Sequence, residues 1–146
     1  MWRNNQSCHA MIVYHITATI NIPSLTQQGF LPRTESDLYP PRVYFGRTLE
    51  DAMRVLVFKI GTRYNIEHHL LVVRSSFDQF QLFEDDDPKV FSSFYMEVPL
   101  SPDQFEILKA IDVSLHTFPL GYMNMHYWDV AAYLASAVSG TLRDIL

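Results

Sequence analysis

A short stretch near the start of the chain, from Ile12 to Thr17, is the feature that most constrains the fold. Its side chains alternate with the two-residue period of a β-strand, so they divide between two faces. One face carries Val13, His15 and Thr17, and the other carries Ile12, Tyr14 and Ile16. The pattern predicts a strand over about residues 11–17 with one titratable side chain, His15, in its middle.

Two further short strands are predicted to carry polar side chains that could meet His15. The segment 43–46 holds Tyr44, and the segment 93–98 holds Glu97 opposite an apolar face. We predict that His15, Tyr44 and Glu97 converge on one cleft. Each residue also has a plainer interpretation when taken alone, as a structural histidine, an ordinary sheet aromatic and a solvated acid.

The remaining pattern mixes helices and strands, which indicates an α+β domain with a twisted, mostly antiparallel sheet. Asn21 is a predicted N-cap with Pro23 in the first turn, and Gly29 is a predicted C-terminal cap. The sequence from Thr48 to Asp51 has the form of a capping box. The other predicted elements are helices over about 21–28, 49–60 and 126–145, and strands over about 67–74, 80–83 and 105–113.

Length, charge and cysteine content limit the class of protein. The chain has 146 residues, which predicts one domain over 11–146 behind a loose arm of residues 1–10. Its formal net charge of −5 disfavours a dedicated duplex-DNA binder. Cys8 is the only cysteine, so no intramolecular disulfide can form. Since neither a signal peptide nor a membrane-spanning run is recognisable, we expect a cytoplasmic protein.

The three converging side chains suit one kind of chemistry. A histidine can donate a hydrogen bond to a ribose hydroxyl, and a tyrosine ring can stack on a flat heterocycle. A carboxylate can bond a second hydroxyl and stabilise positive charge that develops on a sugar. Together they suit attack at an anomeric carbon through a transition state that resembles an oxocarbenium ion.

The order of the short motifs adds a family resemblance. The motifs are Tyr14-His15-Ile16-Thr17, Ile22-Pro23-Ser24-Leu25, Gly29-Phe30-Leu31-Pro32, Val43-Tyr44-Phe45 and Glu97-Val98-Pro99. This series resembles the ADP-ribosyltransferase superfamily in its His-Tyr-Glu branch, which includes poly(ADP-ribose) polymerases, diphtheria-type toxins and DNA-modifying toxins. The resemblance implies a split β-sheet of two packed, mostly antiparallel sheets that hold NAD, with short flanking helices and a C-terminal helix.

The resemblance also implies roles for individual residues. Glu97, His15 and Tyr44 would be catalytic, with His15 bonded to a ribose of NAD and Tyr44 stacked on the nicotinamide. The backbone of Ile16 would hold the nicotinamide carboxamide, and Thr17 would lie beside it in the NAD site. Arg42 and Arg47, which flank Tyr44, could meet the pyrophosphate or could face solvent.

Two departures from the family pattern affect the nicotinamide site. The family usually has a small residue after the histidine, and here Ile16 must point its side chain away. Many members have a second stacking tyrosine at the position of Val55. Phe58 and Tyr64 are the candidates to substitute for it, and Phe58 is the predicted NAD-binding residue. The assignment of Glu97 also has competitors in Glu67, Glu84 and Glu106.

A metal site is not predicted from the histidine pair His68-His69. Adjacent strand residues point to opposite faces, so the two rings are poorly placed to bind one ion. The sequence therefore predicts no metal, and the family resemblance implies NAD as the substrate.

Three functions are compatible with these observations. The first is an NAD-dependent mono-ADP-ribosyltransferase, of the toxin-like or phage-type effector kind, that modifies a macromolecular acceptor, with a protein preferred over a nucleic acid. The second is an NAD hydrolase or a 2′-phosphotransferase-like enzyme, although the phosphotransferase fits the acidic charge poorly. The third is a catalytically inactive fold of the same kind that binds a protein partner.

Overall fold

The computed structural model describes residues 10–32, 41–60, 67–76, 83–84, 93–113 and 127–139. The predicted α+β class is confirmed in this part of the chain, which contains an antiparallel sheet and three α-helices. The strands are β1 (Ala10–Ala18), β2 (Val43–Gly46), β3 (His68–Ser76), β4 (Phe83–Glu84), β5 (Ser93–Met96) and β6 (Phe105–Asp112). The helices are α1 (Ile22–Gln28), α2 (Leu49–Arg54) and α3 (Tyr127–Ser139). Residues 1–9 of the predicted arm and residues 80–82 of a predicted strand lie outside the described ranges.

The sheet is split between its two central strands. Its strand order is β4-β5-β2-β1-β3-β6. β1 pairs with β3 along its whole length, whereas its described register with β2 is limited to the pair Tyr14 and Gly46. The sheet therefore divides into the antiparallel halves β4-β5-β2 and β1-β3-β6, which agrees with the predicted split-sheet architecture. His15 and the rest of β1 lie where the two halves diverge.

Each face of the sheet packs its own hydrophobic core. The helix-side core lies beneath α2 and α3 and takes Tyr14 and Ile16 from β1. The α1-side core takes Val13 from β1, together with Phe30 and Phe45. This division confirms the predicted alternation of β1. Burial of each large apolar side chain stabilises the fold by about 1.5–3 kcal/mol, whereas an exposed ion pair contributes at most about 1 kcal/mol. The two cores therefore contribute more to stability than the exposed ion pairs do.

The turn after α1 anchors the chain to the segment that follows β5. Gly29 has φ of 87°, as the predicted C-terminal cap requires. The next residue, Phe30, exchanges two main-chain hydrogen bonds with Leu100, of 2.9 and 3.0 Å. The predicted N-cap behaves differently, because a 3-10 turn over Thr19–Asn21 leads directly into α1 and Asn21 makes no side-chain cap.

Helix α2 begins after Thr48, as predicted, but only the Thr48 half of the predicted capping box is formed. The main-chain N of Asp51 donates to Thr48 Oγ1 at 3.1 Å, and Thr48 Oγ1 donates to Asp51 Oδ2 at 2.7 Å. The predicted α-helix does not continue to residue 60, since the segment Val55–Ile60 is π-helical. Three of its six residues are β-branched, and β-branched side chains weaken the preference for an α-helix.

The edge strand β6 contains a bulge that the alternating pattern did not reveal. Its register with β3 shifts between Val72 and Val73, which pair with Lys109 and Ile107. Phe105 and Ile107 consequently pack on the α1-side core, whereas Leu108, Ile111 and Val113 pack on the helix-side core. Simple alternation along the predicted strand would place Phe105, Ile107, Ile111 and Val113 on one face, and this expectation is wrong because the extra residue of a bulge reverses the alternation.

The sequence predicts an apolar stripe of Val130, Leu134, Val138 and Leu142 along the C-terminal helix, and α3 covers the helix-side core with part of it. Leu134 and Val138 are buried as predicted, and Ala131 is buried beside them. The side chain of Val130 and residue Leu142, which complete the predicted stripe, lie outside what the structure describes. Among the described helices, none has the length and apolar character needed to cross a membrane.

Candidate active site

The ring of His15 connects the two halves of the sheet. Its Nδ1 lies 2.7 Å from the main-chain oxygen of Tyr44. The ring packs edge-on against Phe30, with centroids 4.9 Å apart, and at a tilt against Phe45, with centroids 5.4 Å apart. Since a carbonyl oxygen can only accept, Nδ1 carries the proton of the neutral ring and Nε2 is an acceptor.

The electrostatic state of His15 changes the role expected from sequence. Burial lowers the pKa of His15 to about 4, and the hydrogen bond to the Tyr44 carbonyl opposes this shift only in part. The ring is therefore neutral near pH 7. Its Nε2 can accept a hydrogen bond from a hydroxyl, and it cannot donate one as the sequence interpretation supposed.

Stability is expected to fall as the pH drops from about 6.5 to about 4, because His15 titrates at a lower pH in the folded state. Its folded pKa is about 4 against an ordinary value of 6.5, so the unfolded chain binds the proton more readily within that window. The contribution is fully present above pH 6.5 and amounts to at most about 3 kcal/mol. Urea denaturation at a series of pH values measures it.

The variant His15→Asn isolates this contribution, since its amide nitrogen can replace Nδ1 as donor and does not titrate. His69→Asn is the matched control, because it also removes one histidine from the unfolded chain. The His69 ring is hydrogen-bonded as well, with its Nδ1 2.7 Å from Thr19 Oγ1. We expect the pH dependence to flatten more in His15→Asn than in His69→Asn. Equal slopes in both variants would contradict the assignment.

Four side chains meet at the open end of β2 and β5, and we name them the Arg42 cluster: Arg42, Tyr44, Tyr95 and Glu97. Arg42 Nε lies 3.8 Å from Glu97 Oε2, and Arg42 Nη1 donates to the Tyr44 hydroxyl at 3.4 Å. The guanidinium carbon of Arg42 lies 4.0 Å from the centroid of the Tyr95 ring. The Tyr44 and Tyr95 rings are tilted, with centroids 5.9 Å apart.

The register of β2 and β5 explains why these four side chains meet. Tyr44 pairs directly with Tyr95, so the antiparallel continuation of the two strands places Arg42 opposite Glu97. All four alternate with the buried residues of the α1-side core and therefore share the other face. Tyr95 was not predicted as a site residue. Because Tyr95 alternates with Phe94 and Met96, the sequence already put it on the same face as Glu97. Only the register of β2 with β5 shows that it lies opposite Tyr44.

The structure brings Tyr44 and Glu97 together and places the His15 ring on a different face of β2. Phe45, which contacts His15, belongs to the α1-side core, whereas the side chain of its neighbour Tyr44 leaves the opposite face. The connection between His15 and Tyr44 is therefore the main-chain carbonyl. A ligand that contacts both side chains would have to pass the split between β1 and β2.

The side chains of the two residues after His15 are both buried. Ile16 is 8% exposed and its side chain packs in the helix-side core, so it points away from the split as expected. Thr17 is also 8% exposed, and its Oγ1 donates to the carbonyl of Ala18 at 3.4 Å. Contact of either residue with NAD stays a prediction.

The remaining predicted NAD-binding residues are placed apart from one another. Arg47 is exposed, with its guanidinium carbon 5.6 Å from the ring centroid of Phe94. Arg42 lies in the Arg42 cluster, whereas Arg47 lies in the bend after β2 and contacts Phe94 of the α1-side core, so the structure does not bring the two side chains together. Phe58 lies in the π-helical segment, and its side chain is outside what the structure describes, as is Tyr64.

The competing glutamates occupy other parts of the fold. Glu106 pairs with Arg74 at 2.7 Å on the exposed surface of β3 and β6. Glu67 is exposed just before β3, and Glu84 pairs in register with Phe94 at the edge of the sheet. Within the described ranges, no three histidine, cysteine, aspartate or glutamate side chains are grouped to hold a metal ion.

Comparisons with known proteins show only weak structural likeness. No protein-family model matches the sequence, and no curated protein matches it. A chain of the crystal structure of the M. tuberculosis MbcT-MbcA toxin-antitoxin complex is similar with a TM-score of 0.44 and 11% identity. The match covers 86% of the present chain and 91% of the other. A likeness at this level carries no argument about activity.

Proposed function

We propose that the protein is an NAD-dependent mono-ADP-ribosyltransferase. The observation that carries the proposal is that Tyr44 and Glu97, two residues far apart in sequence, lie on one face of β2 and β5 and both contact Arg42. The motif resemblance and the split beside His15 support the same interpretation. An aromatic hydroxyl and a carboxylate on one face of β2, with a histidine acceptor across the split between β1 and β2, suit a ligand that carries ribose hydroxyls and a flat cationic ring.

The proposed reaction breaks the bond between nicotinamide and the ribose of NAD. The bonding electrons leave with the nicotinamide, which becomes neutral, and positive charge develops on the ribose. A nucleophile of the acceptor then forms a bond to the anomeric carbon and releases its proton. Glu97 would stabilise the developing cation, Tyr44 would stack on the nicotinamide, and His15 would accept a hydrogen bond from a ribose hydroxyl through Nε2.

The acceptor is a macromolecule, and a protein is preferred over a nucleic acid. The chain has a formal net charge of −5, and phosphate backbones are bound most readily by proteins with a basic excess. The acceptor would therefore be recognised by surfaces around the cleft that do not form a broad basic patch.

The proposal is tested by incubating the protein with NAD labelled in its adenylate portion, with and without a cell lysate. We expect nicotinamide release together with label attached to macromolecules. Release without transfer would favour an NAD hydrolase instead. If no NAD is consumed even with lysate present, the proposed activity is wrong and a binding role becomes the better explanation.

A further inference from the structure

Arg42 is the member of the Arg42 cluster that contacts all the others. It lies 3.8 Å from the carboxylate of Glu97, donates to the Tyr44 hydroxyl and covers one face of the Tyr95 ring at 4.0 Å. Its side chain is 14% exposed, whereas that of Glu97 is 39% exposed. A long side chain enclosed by three partners has little rotational freedom left.

From these contacts we infer that Arg42 is a positioning residue, which holds the Glu97 carboxylate beside Tyr44 and Tyr95 rather than binding the pyrophosphate of NAD. The inference rests on the proposed function, because that function gives Glu97 its catalytic role. To bind a pyrophosphate, Arg42 would have to leave the ring of Tyr95 and the carboxylate of Glu97. The carboxylate would then be free to rotate while positive charge develops on the ribose, which is the step that depends on its position.

The chemistry of the guanidinium fits this role better than that of an ammonium group. A planar guanidinium can stack on a ring with its face and donate hydrogen bonds from its edge at the same time, which a lysine ammonium cannot do. Burial lowers the pKa of Arg42, but the hydrogen bond to Tyr44 and the electrostatic interactions with Tyr44, Tyr95 and Glu97 raise it on balance. The group therefore stays charged and can serve Glu97 as a permanent counter-ion.

The kinetic test separates positioning from NAD binding. We expect Arg42→Lys and Arg42→Gln to lower kcat for nicotinamide release by about tenfold or more, while KM for NAD stays within about twofold. A residue that bound the pyrophosphate would instead raise KM. The matched control is Arg74→Gln, which breaks an exposed cross-strand arginine–glutamate pair on the other half of the sheet. A raised KM with unchanged kcat in the Arg42 variants would overturn the inference.

A second measurement does not depend on turnover. A double-mutant cycle of Arg42→Gln and Glu97→Gln, followed by urea denaturation, gives the coupling between the two side chains. We expect about a fivefold coupling in the unfolding equilibrium constant, against about twofold or less for Arg74→Gln with Glu106→Gln. A coupling no larger than that of the exposed pair would overturn the inference. If the wild-type protein consumes no NAD, the proposed function fails, while this cycle still decides whether Arg42 holds Glu97.

Discussion

Replacing Glu97 with glutamine is expected to slow nicotinamide release by about 100- to 1,000-fold and to leave the fold intact. Glutamine keeps the shape of the side chain and removes its charge, so the cation that develops on the ribose loses its stabilising partner. The loss of stability should be only about 1 kcal/mol, which is the size of the coupling expected between Glu97 and Arg42, because the Glu97 side chain is 39% exposed. Steady-state release of nicotinamide and urea denaturation measure the two quantities on the same preparation.

The matched variant for this prediction is Glu106→Gln. Like Glu97, Glu106 forms an ion pair with an arginine on the neighbouring strand, but this pair lies on the exposed surface of β3 and β6. We expect its turnover to stay within about twofold of wild type, since it lies on the other half of the sheet. Loss of activity in Glu106→Gln with retention in Glu97→Gln would transfer the catalytic assignment to Glu106.

The largest loss of stability is expected from Gly29→Ala, at about 3 kcal/mol or more. Gly29 has φ of 87°, a conformation that alanine rarely adopts. An added Cβ would lie 2.1 Å from the main-chain oxygen of Leu100, so the backbone would have to move. That oxygen accepts the hydrogen bond from Phe30, whose ring packs against His15, and the movement would loosen the α1-side core.

Equilibrium denaturation in urea measures this loss, with Gln28→Ala as the control. Gln28 is the exposed last residue of α1, so alanine there removes no packing and meets no backbone. We expect the free energy of unfolding of Gln28→Ala to lie within about 0.5 kcal/mol of wild type. A loss below 1 kcal/mol in Gly29→Ala would mean that the turn can move away from Leu100, contrary to the close packing described here.

Local patterns in the sequence were sufficient to predict several parts of the fold. The two faces of β1, the positive-φ glycine after α1 and the Thr48 cap all depend on residues within a few positions of one another. The same holds for the apolar face of β5, with Phe94 and Met96 both 1% exposed. The bulge in β6 was not predicted, because one extra residue in a strand gives no recognisable sequence pattern. It is recognised only from the pairing of β6 with β3.

By itself, the sequence determined which side chains each strand could present, including His15, Tyr44 and Glu97, because strand alternation is a local property. Only the tertiary structure decided how those side chains are combined. The register of β2 with β5 placed Arg42 opposite Glu97 and added Tyr95, and the single pair between β1 and β2 opened the split beside His15. The hydrogen bond from His15 to the Tyr44 carbonyl then determined which nitrogen of the His15 ring carries the proton. Such choices depend on pairing between distant segments, where a change of one residue in register moves every side chain to the other face.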